Sequence, residues 1–288
     1  MFRWRSDTVL TWTLRGCAVI SGAVILLIVL FLVVESLPAL RQIGIARFFS
    51  DASWHPAANG IDGSFNLTPM LLGTLLATAG AVLLATPLGI GSAVFCNFYA
   101  PAVIARPFRR LVELLAGIPS VVFGLWGLVV LVPLIGRLHP PGPGLLAAII
   151  ILAVMILPTV ALLADAALAN VPAETLRGVA ALGLSRWRTV CQVALPTARP
   201  GLMTGVILET GRALGETMAV LMVCGNVVRV PHSLFDPMRT LTANIALEMS
   251  FAMGDHRSAL FVCGLVLTGL IVLLVTAAEI ISGGRIHV

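Results

Sequence analysis

Four stretches of the chain stay uncharged over the roughly 20 residues that a helix needs to cross hydrocarbon: Gly16 to Val34, Leu114 to Gly136, Leu138 to Ala164 and Ser258 to Ala278. A fifth apolar run, Gly63 to Ala105, is too long for one crossing and is cut by Pro69, Pro87 and Pro101. Proline ends or bends a helix, so the run reads as one helix from about Leu67 to Tyr99. The sixth run, about Gly201 to Val228, is apolar except for Glu209, Arg212 and Glu216. The pattern predicts an all-α membrane protein with six transmembrane helices.

The organisation that follows is a single transmembrane domain, 1–288. It has a first helix at 14–34, an external segment at 35–66, and a core of five helices at 67–282 that includes a loop at 169–199. The opening "MFRWRSDTVLTWTLR" is basic and leads into an apolar run, as a secretory signal does. "VVESLPAL" offers no small-x-small cleavage site, so the first helix is expected to be retained. In the external segment, Leu37, Leu40, Ile43, Phe48 and Trp54 outline either an amphipathic stretch lying in the membrane interface or an ordinary exposed loop. Val227 to Arg257 is apolar enough to dip back among the helices, with an exposed loop again the alternative. There is no internal repeat and no low-complexity tract.

Composition agrees with the pattern: 288 residues, 59% hydrophobic and 11% charged, with a mean hydropathy of +1.04. All 18 basic residues are arginine. Without lysine there is no phosphate-loop ATPase and no Schiff-base enzyme in this chain, so any ATP that drives it is hydrolysed by another. The five cysteines, Cys17, Cys96, Cys191, Cys224 and Cys263, form no C-x-x-C pair, and four fall in predicted spans as small packing residues. The histidines have no metal-ligand spacing, and no cofactor is expected. Gly254-Asp255 falls short of an intramembrane aspartyl-protease motif because Ala252 stands where the first glycine belongs.

Six spans put both termini on one side, and arginine chooses that side. The segments on the side of the termini hold Arg3, Arg5, Arg15, Arg106, Arg109, Arg110, Arg177, Arg186, Arg188, Arg199 and Arg285. The opposite segments hold Arg41, Arg47, Arg137, Arg229, Arg239 and Arg257. Eleven against six predicts cytoplasmic termini in a multi-pass protein of the bacterial cytoplasmic (inner) membrane. The net charge of +5 is then a topology signal, and with no basic aromatic face the chain is expected to bind lipid bilayer and no nucleic acid.

Between the fourth and fifth spans lies "NVPAETLRGVAALGLSRWRTVCQVALPTARPG". Leu176, Ala180, Gly183, Trp187 and Val190 recur at helical spacing on one face, with Arg177, Ser185 and Arg188 on the other. Pro172 suits a helix start, Gly183 permits a break, and Pro196 with Pro200 is expected to close the segment before the next span. Gly183, nine residues, then Val193-Ala194-Leu195-Pro196 resembles the EAA loop of ABC importer permeases, which docks in a groove of the ATPase subunit. That resemblance implies a type I ABC importer permease fold with a cytoplasmic coupling helix, a second homologous permease subunit and two cytoplasmic ATPase subunits. It assigns ATPase coupling to Arg177, Ala180, Gly183, Leu184, Trp187, Leu195 and Pro196. Arg177, Gly178 and Val179 occupy the positions of the family's Glu-Ala-Ala, so Arg177 would meet an acidic group on the ATPase in place of the usual glutamate's salt bridge.

"VELLAGIPSVVFGLWGLVVLVPL", "VALPTARPGLMTGVILETGRALGETMAVLMVCGN" and "TLTANIALEM" are similar, in order and spacing, to the PstC-type permeases of bacterial phosphate importers. The resemblance implies a non-catalytic subunit of a phosphate importer, fed by an external phosphate-binding protein. An independent physical reason singles out "GRALGETMAV". Arginine stays charged in proteins, and one at mid-membrane costs about 2.5–3.5 kcal/mol on insertion scales. Its planar fork matches phosphate oxygens. Glu216, at i+4 from Arg212, is expected on the same helical face as the carboxylate that keeps binding reversible, and Glu209, at i−3, either shares Arg212 or faces water. An intrahelical pair with no substrate role is the alternative. Thr217, Thr240, Thr242 and Asn244 complete the expected pathway as neutral groups. Pro87, Gly89, Gly91, Gly117 and Pro119 mark either bends or close helix packing. Another oxyanion, such as sulfate, molybdate or a phosphonate, is the neighbouring function; an intramembrane enzyme or a non-transporting scaffold is the alternative of a different class.

Overall fold

The computed structural model describes residues 3–57 and 63–281. Arg285, counted above for orientation, and the end of the 67–282 core lie outside the described residues. In chain order the elements are α1 (Arg3–Gln42), α2 (Arg47–Ser50), β1 (Trp54–His55), β2 (Ser64–Phe65), α3 (Thr68–Val94), α4 (Ala102–Ala116), α5 (Ser120–Trp126), α6 (Val132–Leu138) and α7 (Leu145–Ala169). There follow α8 (Ala173–Ala181), α9 (Arg186–Thr189), α10 (Leu195–Gly215), α11 (Met218–Val223), α12 (Leu241–Glu248) and α13 (Gly254–Ile281). Five segments among the described residues are long and apolar enough to cross a bilayer: Val9–Gln42, Thr68–Tyr99, Ser120–Leu138, Leu145–Ala169 and Gly254–Ile280. The sixth expected span is built differently, as α10 and α11 with a break at Glu216 and Thr217.

Among the described residues, 67–247 and 267–281 form one compact unit. Its axis is the pair α3 and α7, which pack along each other. Ala77, Ala81, Ala85, Gly89 and Ala93 recur at every fourth position of α3, all buried, and small residues at that spacing let two helix backbones approach in lipid. A Cβ built on Gly80 would lie 2.6 Å from the Ile149 side chain, and one on Gly89 would lie 2.6 Å from Val160. Gly89 is therefore a packing glycine, whereas a Cβ on Gly91 would meet nothing within 4 Å. Gly117 and Pro119 mark a true break, the end of α4 and the start of α5. The expected span at Leu114–Gly136 is thus shifted to Ser120–Leu138, and the next begins at Leu145 because Pro140, Pro141 and Pro143 hold the preceding segment out of helix.

Three π-helical turns interrupt the helices: Phe95–Tyr99, Gly127–Leu131 and Val190–Ala194. Each ends two residues before a proline, Pro101, Pro133 and Pro196. A proline gives no N–H to the carbonyl four residues back and its ring strikes it, and a widened turn relieves both faults. At Pro101 the helix then stops; at Pro133 and Pro196 it continues. The segment from Arg186 to Gly215 is consequently helical through both Pro196 and Pro200, where those prolines were expected to end the loop.

Helix ends in a membrane need partners for their open N–H groups. At the start of α7 the loops supply them: Gly144 N–H donates to Val223 O (3.0 Å), Leu145 N–H to Asp236 O (3.0 Å) and Leu146 N–H to Leu234 O (2.7 Å). That loop is itself pinned, since the His232 N–H, with Ser233 N–H and Arg229, holds the Asp236 carboxyl below the usual carboxylate range. α12 returns into the unit, with Leu241, Thr242, Ala243 and Asn244 buried, and the Thr74 hydroxyl of α3 accepts its Leu241 N–H at 3.1 Å.

The other unit comprises residues up to 66 together with 248–266. α1 contains the expected 14–34 helix and runs on to Gln42, eight residues into the expected external segment. Beyond it, Ile43, Phe48, Trp54 and Phe65 are buried. Phe65 meets Phe48 at 6.0 Å and Trp54 at 5.9 Å between ring centroids, across an antiparallel two-residue ribbon of β1 and β2. The Glu248 carboxylate closes this small core by accepting Trp54 Nε1–H at 2.9 Å, and its same oxygen lies 2.9 Å from His256 Nε2. This ribbon is the only sheet among the described residues, an isolated bridge between Gly225 and Met238 aside.

Candidate functional site

α10 carries Ala198, Leu202, Gly205, Glu209 and Ala213 on its buried face at steps of three and four, so Glu209 sits where the helix pattern demands an apolar side chain. Only 7% of Glu209 is exposed, and its Oε2 is buried with no hydrogen-bond partner. Its neighbour is Arg212, whose Nη1 lies 3.9 Å from that oxygen, within ion-pair range and beyond hydrogen-bond range. The Arg212 side chain is 41% exposed. No hydrogen bond engages it among the described residues, so the guanidinium donors remain uncommitted.

Glu216 does not lie on the Arg212 face. The helix ends at Gly215, and Glu216 has extended backbone, φ −68° and ψ 128°, which takes its side chain out of helical register. Its Oε1 accepts the Ala219 N–H at 3.1 Å and so caps α11. Thr242 holds the break open: its hydroxyl donates to the Glu216 carbonyl at 2.9 Å. Thr240 lies 3.1 Å from Thr242 and also accepts the Ala243 N–H; because the Thr242 proton is on the Glu216 carbonyl, Thr240 is the donor in the contact between the two hydroxyls. Both hydroxyl protons are therefore committed, and the expectation that these threonines donate to an incoming anion is corrected. Asn244, fully buried, accepts from Arg239 Nη1 at 2.9 Å, while Arg239 Nε donates to Asn226 O. Thr217 stands in the break, with its hydroxyl 3.3 Å from Gly215 O.

Between α10 and α13 a cavity of about 130 Å³ is lined by Ile207, Thr210, Gly211 and Leu214 on one side and Ile271, Leu274, Val275 and Ala278 on the other. A larger groove, about 650 Å³, runs from Cys191 in the third π turn along α10 to Thr210 and is walled by Thr86 and Ile90 of α3.

Sequence reasoning missed one polar cluster. Arg109 of α4 forks onto Asp165 of α7, Nε to Oδ2 and Nη2 to Oδ1, both 2.9 Å. Asn97, in the first π turn, donates to Asp165 Oδ1 at 2.7 Å and accepts from Arg109 Nη2 at 3.2 Å. The available signal was Asp165 itself, the sole charged residue in the 25 of α7. With side chains 36% and 23% exposed, the pair is partly screened. Asp165→Asn is expected to cost about 1–3 kcal/mol, read as a lower thermal-unfolding midpoint of the purified protein; an unchanged midpoint would show that α4 is held by its apolar face alone.

The 169–199 loop breaks where expected, after α8, with Gly183 at φ +71° and the Ser185 side chain capping α9. The predicted apolar face is mostly uncovered: Trp187 is 66% exposed, and Ala180, Gly183 and Pro196 are exposed too. Leu176, Leu184 and Leu195 are half-buried and Val190 is buried. Leu182, 78% exposed, joins the open surface, and Arg177 donates to Ala173 O on its own helix.

Spanning helices, a charged helix broken in its course and a helical loop standing uncovered are the parts of a membrane transport subunit. The chain belongs to the family of binding-protein-dependent transport system inner membrane components, which it matches over residues 85–284. It is 40% identical over 238 residues to the probable ABC transporter permease protein YqgH of Bacillus subtilis, covering 81% of this chain and 76% of that one. It is 36% identical over 268 residues to the phosphate transport system permease protein PstC of Mesorhizobium japonicum, covering 86% and 80%. In fold it is similar to a bacterial ABC transporter involved in the import of alginate, at 13% identity and a TM-score of 0.67 over 99% of this chain and 100% of that one. The MetNI methionine ABC transporter, inward facing, matches at 22% identity and a TM-score of 0.58 over 75% and 92%. The fold is that of a type I ABC importer permease, a multi-pass membrane protein.

Proposed function

We propose that this chain is the permease subunit of an ATP-driven phosphate importer, acting as one transmembrane domain that forms the translocation pathway with a second, similar permease. The observation that carries the reading is Arg212: a guanidinium on a helix of the membrane bundle, half-exposed, with its donors uncommitted among the described residues. Other arginines with described contacts are engaged, Arg109 by Asp165, Arg229 by Asp236 and Arg239 by Asn226 and Asn244. A planar fork left open is a receptor for a tetrahedral oxyanion. Relatives that bear the name of phosphate permeases support phosphate as that anion.

Glu209 supplies the nearby negative charge that keeps the anion from binding too tightly to leave. Glu216 and Thr242 shape the break instead, fixing the end of α10 where the pathway must open. On the proposed cytoplasmic side, with both termini, the uncovered face of Ala180, Leu182, Gly183 and Trp187 docks on one of two ATPase subunits, and an external phosphate-binding protein delivers the anion from the other side. ATP hydrolysis of the whole reconstituted complex tests the reading. Phosphate should stimulate it well above sulfate, molybdate or a phosphonate, and stimulation led by any of those others would replace phosphate as the substrate.

A further inference from the structure

The buried oxygen of Glu209 has an unmet requirement. A carboxylate oxygen with no donor is costly in a low-dielectric interior, and here it is retained behind a guanidinium that makes no hydrogen bond among the described residues. The two groups together present one strong set of donors and one orphaned acceptor, 3.9 Å apart. Their complement is an anion that is itself a hydrogen-bond donor. Phosphate meets that description, since near neutral pH it carries at least one P–OH; sulfate, of similar size and shape, carries none and would meet a bare carboxylate.

We propose that Glu209 is a specificity-determining residue of this pathway, accepting a hydrogen bond from the P–OH of an oxyanion whose other oxygens lie on Arg212. The site thereby admits protonated oxyanions and rejects fully deprotonated ones. Burial of the oxygen is compatible with this, because Arg212 is the exposed member of the pair: an anion that draws the guanidinium outward uncovers Oε2 to its own hydroxyl. Glu216 is placed differently: its Oε1 accepts the Ala219 N–H, and no ion pair joins it to Arg212 among the described residues. A site built to receive an OH discriminates strongly against an analogue without one, because its polar group is left unpaired, and two like charges in contact add repulsion.

The inference rests on the phosphate reading above, and equilibrium binding separates the two. The permease complex without its binding protein, which would otherwise filter the anions, is loaded with radiolabelled phosphate and competed with unlabelled phosphate, methylphosphonate or sulfate. In the parent, in mildly acidic buffer where methylphosphonate stays a monoanion and keeps its P–OH, phosphate and methylphosphonate should compete at least about tenfold better than sulfate. Glu209→Gln should bring sulfate to within about threefold of phosphate while Arg212→Ala removes binding of both, and Glu209→Asp should keep much of the preference. Phosphate bound through Arg212 with an unchanged phosphate-to-sulfate ratio in Glu209→Gln would overturn the role of Glu209 alone. Phosphate binding that survives Arg212→Ala would overturn the Arg212 site with it. If Glu209→Gln fails to accumulate, the parent decides: sulfate competing as well as methylphosphonate defeats the proposal.

Discussion

Arg212→Lys is expected to lower phosphate uptake at least tenfold at equal membrane abundance, and Arg212→Ala to abolish it. Lysine keeps the charge, so the cost of placing a cation in the membrane and its attraction to Glu209 are both retained. What it loses is the fork: two parallel donors on a rigid plane become one mobile ammonium. One hydrogen bond to a charged group contributes about 1.5–3 kcal/mol, which is roughly 10- to 150-fold in an equilibrium at about 1.4 kcal/mol per tenfold. Uptake of labelled phosphate by cells carrying the complete transporter measures it. Equal uptake by the lysine variant would show that only charge matters, and equal uptake by the alanine variant would remove Arg212 from the pathway. The structure sharpens the first case, because no other hydrogen bond in the described chain depends on this guanidinium, so a loss of transport is not explained by a loss of packing.

Arg212 could be read from sequence because a cation in an apolar run has no local excuse. Its partner could be read only as one of two glutamates, Glu209 or Glu216. The i+4 rule selects Glu216 only if the helix continues, and the helix stops at Gly215 through a contact with Thr242, 26 positions further along. The rule then passes to Glu209, which lies on the surviving part of the helix. The same limit explains Arg109 and Asp165, which are 56 positions apart and meet only because α4 folds back along α7. Hydropathy gave the spans themselves, since burial of backbone in lipid permits few alternatives to a helix. It misplaced their ends, because the break at Gly117 and Pro119 lies inside an uncharged run, and because Pro196 reads as a stop while the π turn ahead of it lets the helix continue. In the 169–199 loop, the five residues that periodicity places on one face are divided by the break at Gly183, and only Val190 of them is buried by this chain, while α8 buries Val179 instead. An apolar face that its own chain leaves uncovered is what a docking surface looks like from one side.

Gly142→Ala is expected to have the largest effect on stability, about 3–5 kcal/mol or more, and to deplete the folded protein from the membrane. Gly142 has φ +101°, which side chains with a Cβ rarely adopt, and its added Cβ would collide with Val132 O and lie 3.0 Å from Gly136. The obstructing atoms are backbone of α6, so no rotamer change relieves them. Moving the turn instead would displace the start of α7, whose first N–H groups are tied to Val223, Leu234 and Asp236. Val223 ends α11, the helix that begins at the Glu216 break, so the strain would reach the pathway as well. Gly91→Ala is the matched control: a helical glycine whose Cβ would meet nothing within 4 Å, and where alanine should be neutral or stabilising by up to about 1 kcal/mol. Membrane abundance and thermal-unfolding midpoints of the two variants, measured side by side, decide the matter. If both behave as the parent does, the tight seat of Gly142 is not what fixes α7 against α11, and the alignment of the break must come from Thr242 alone.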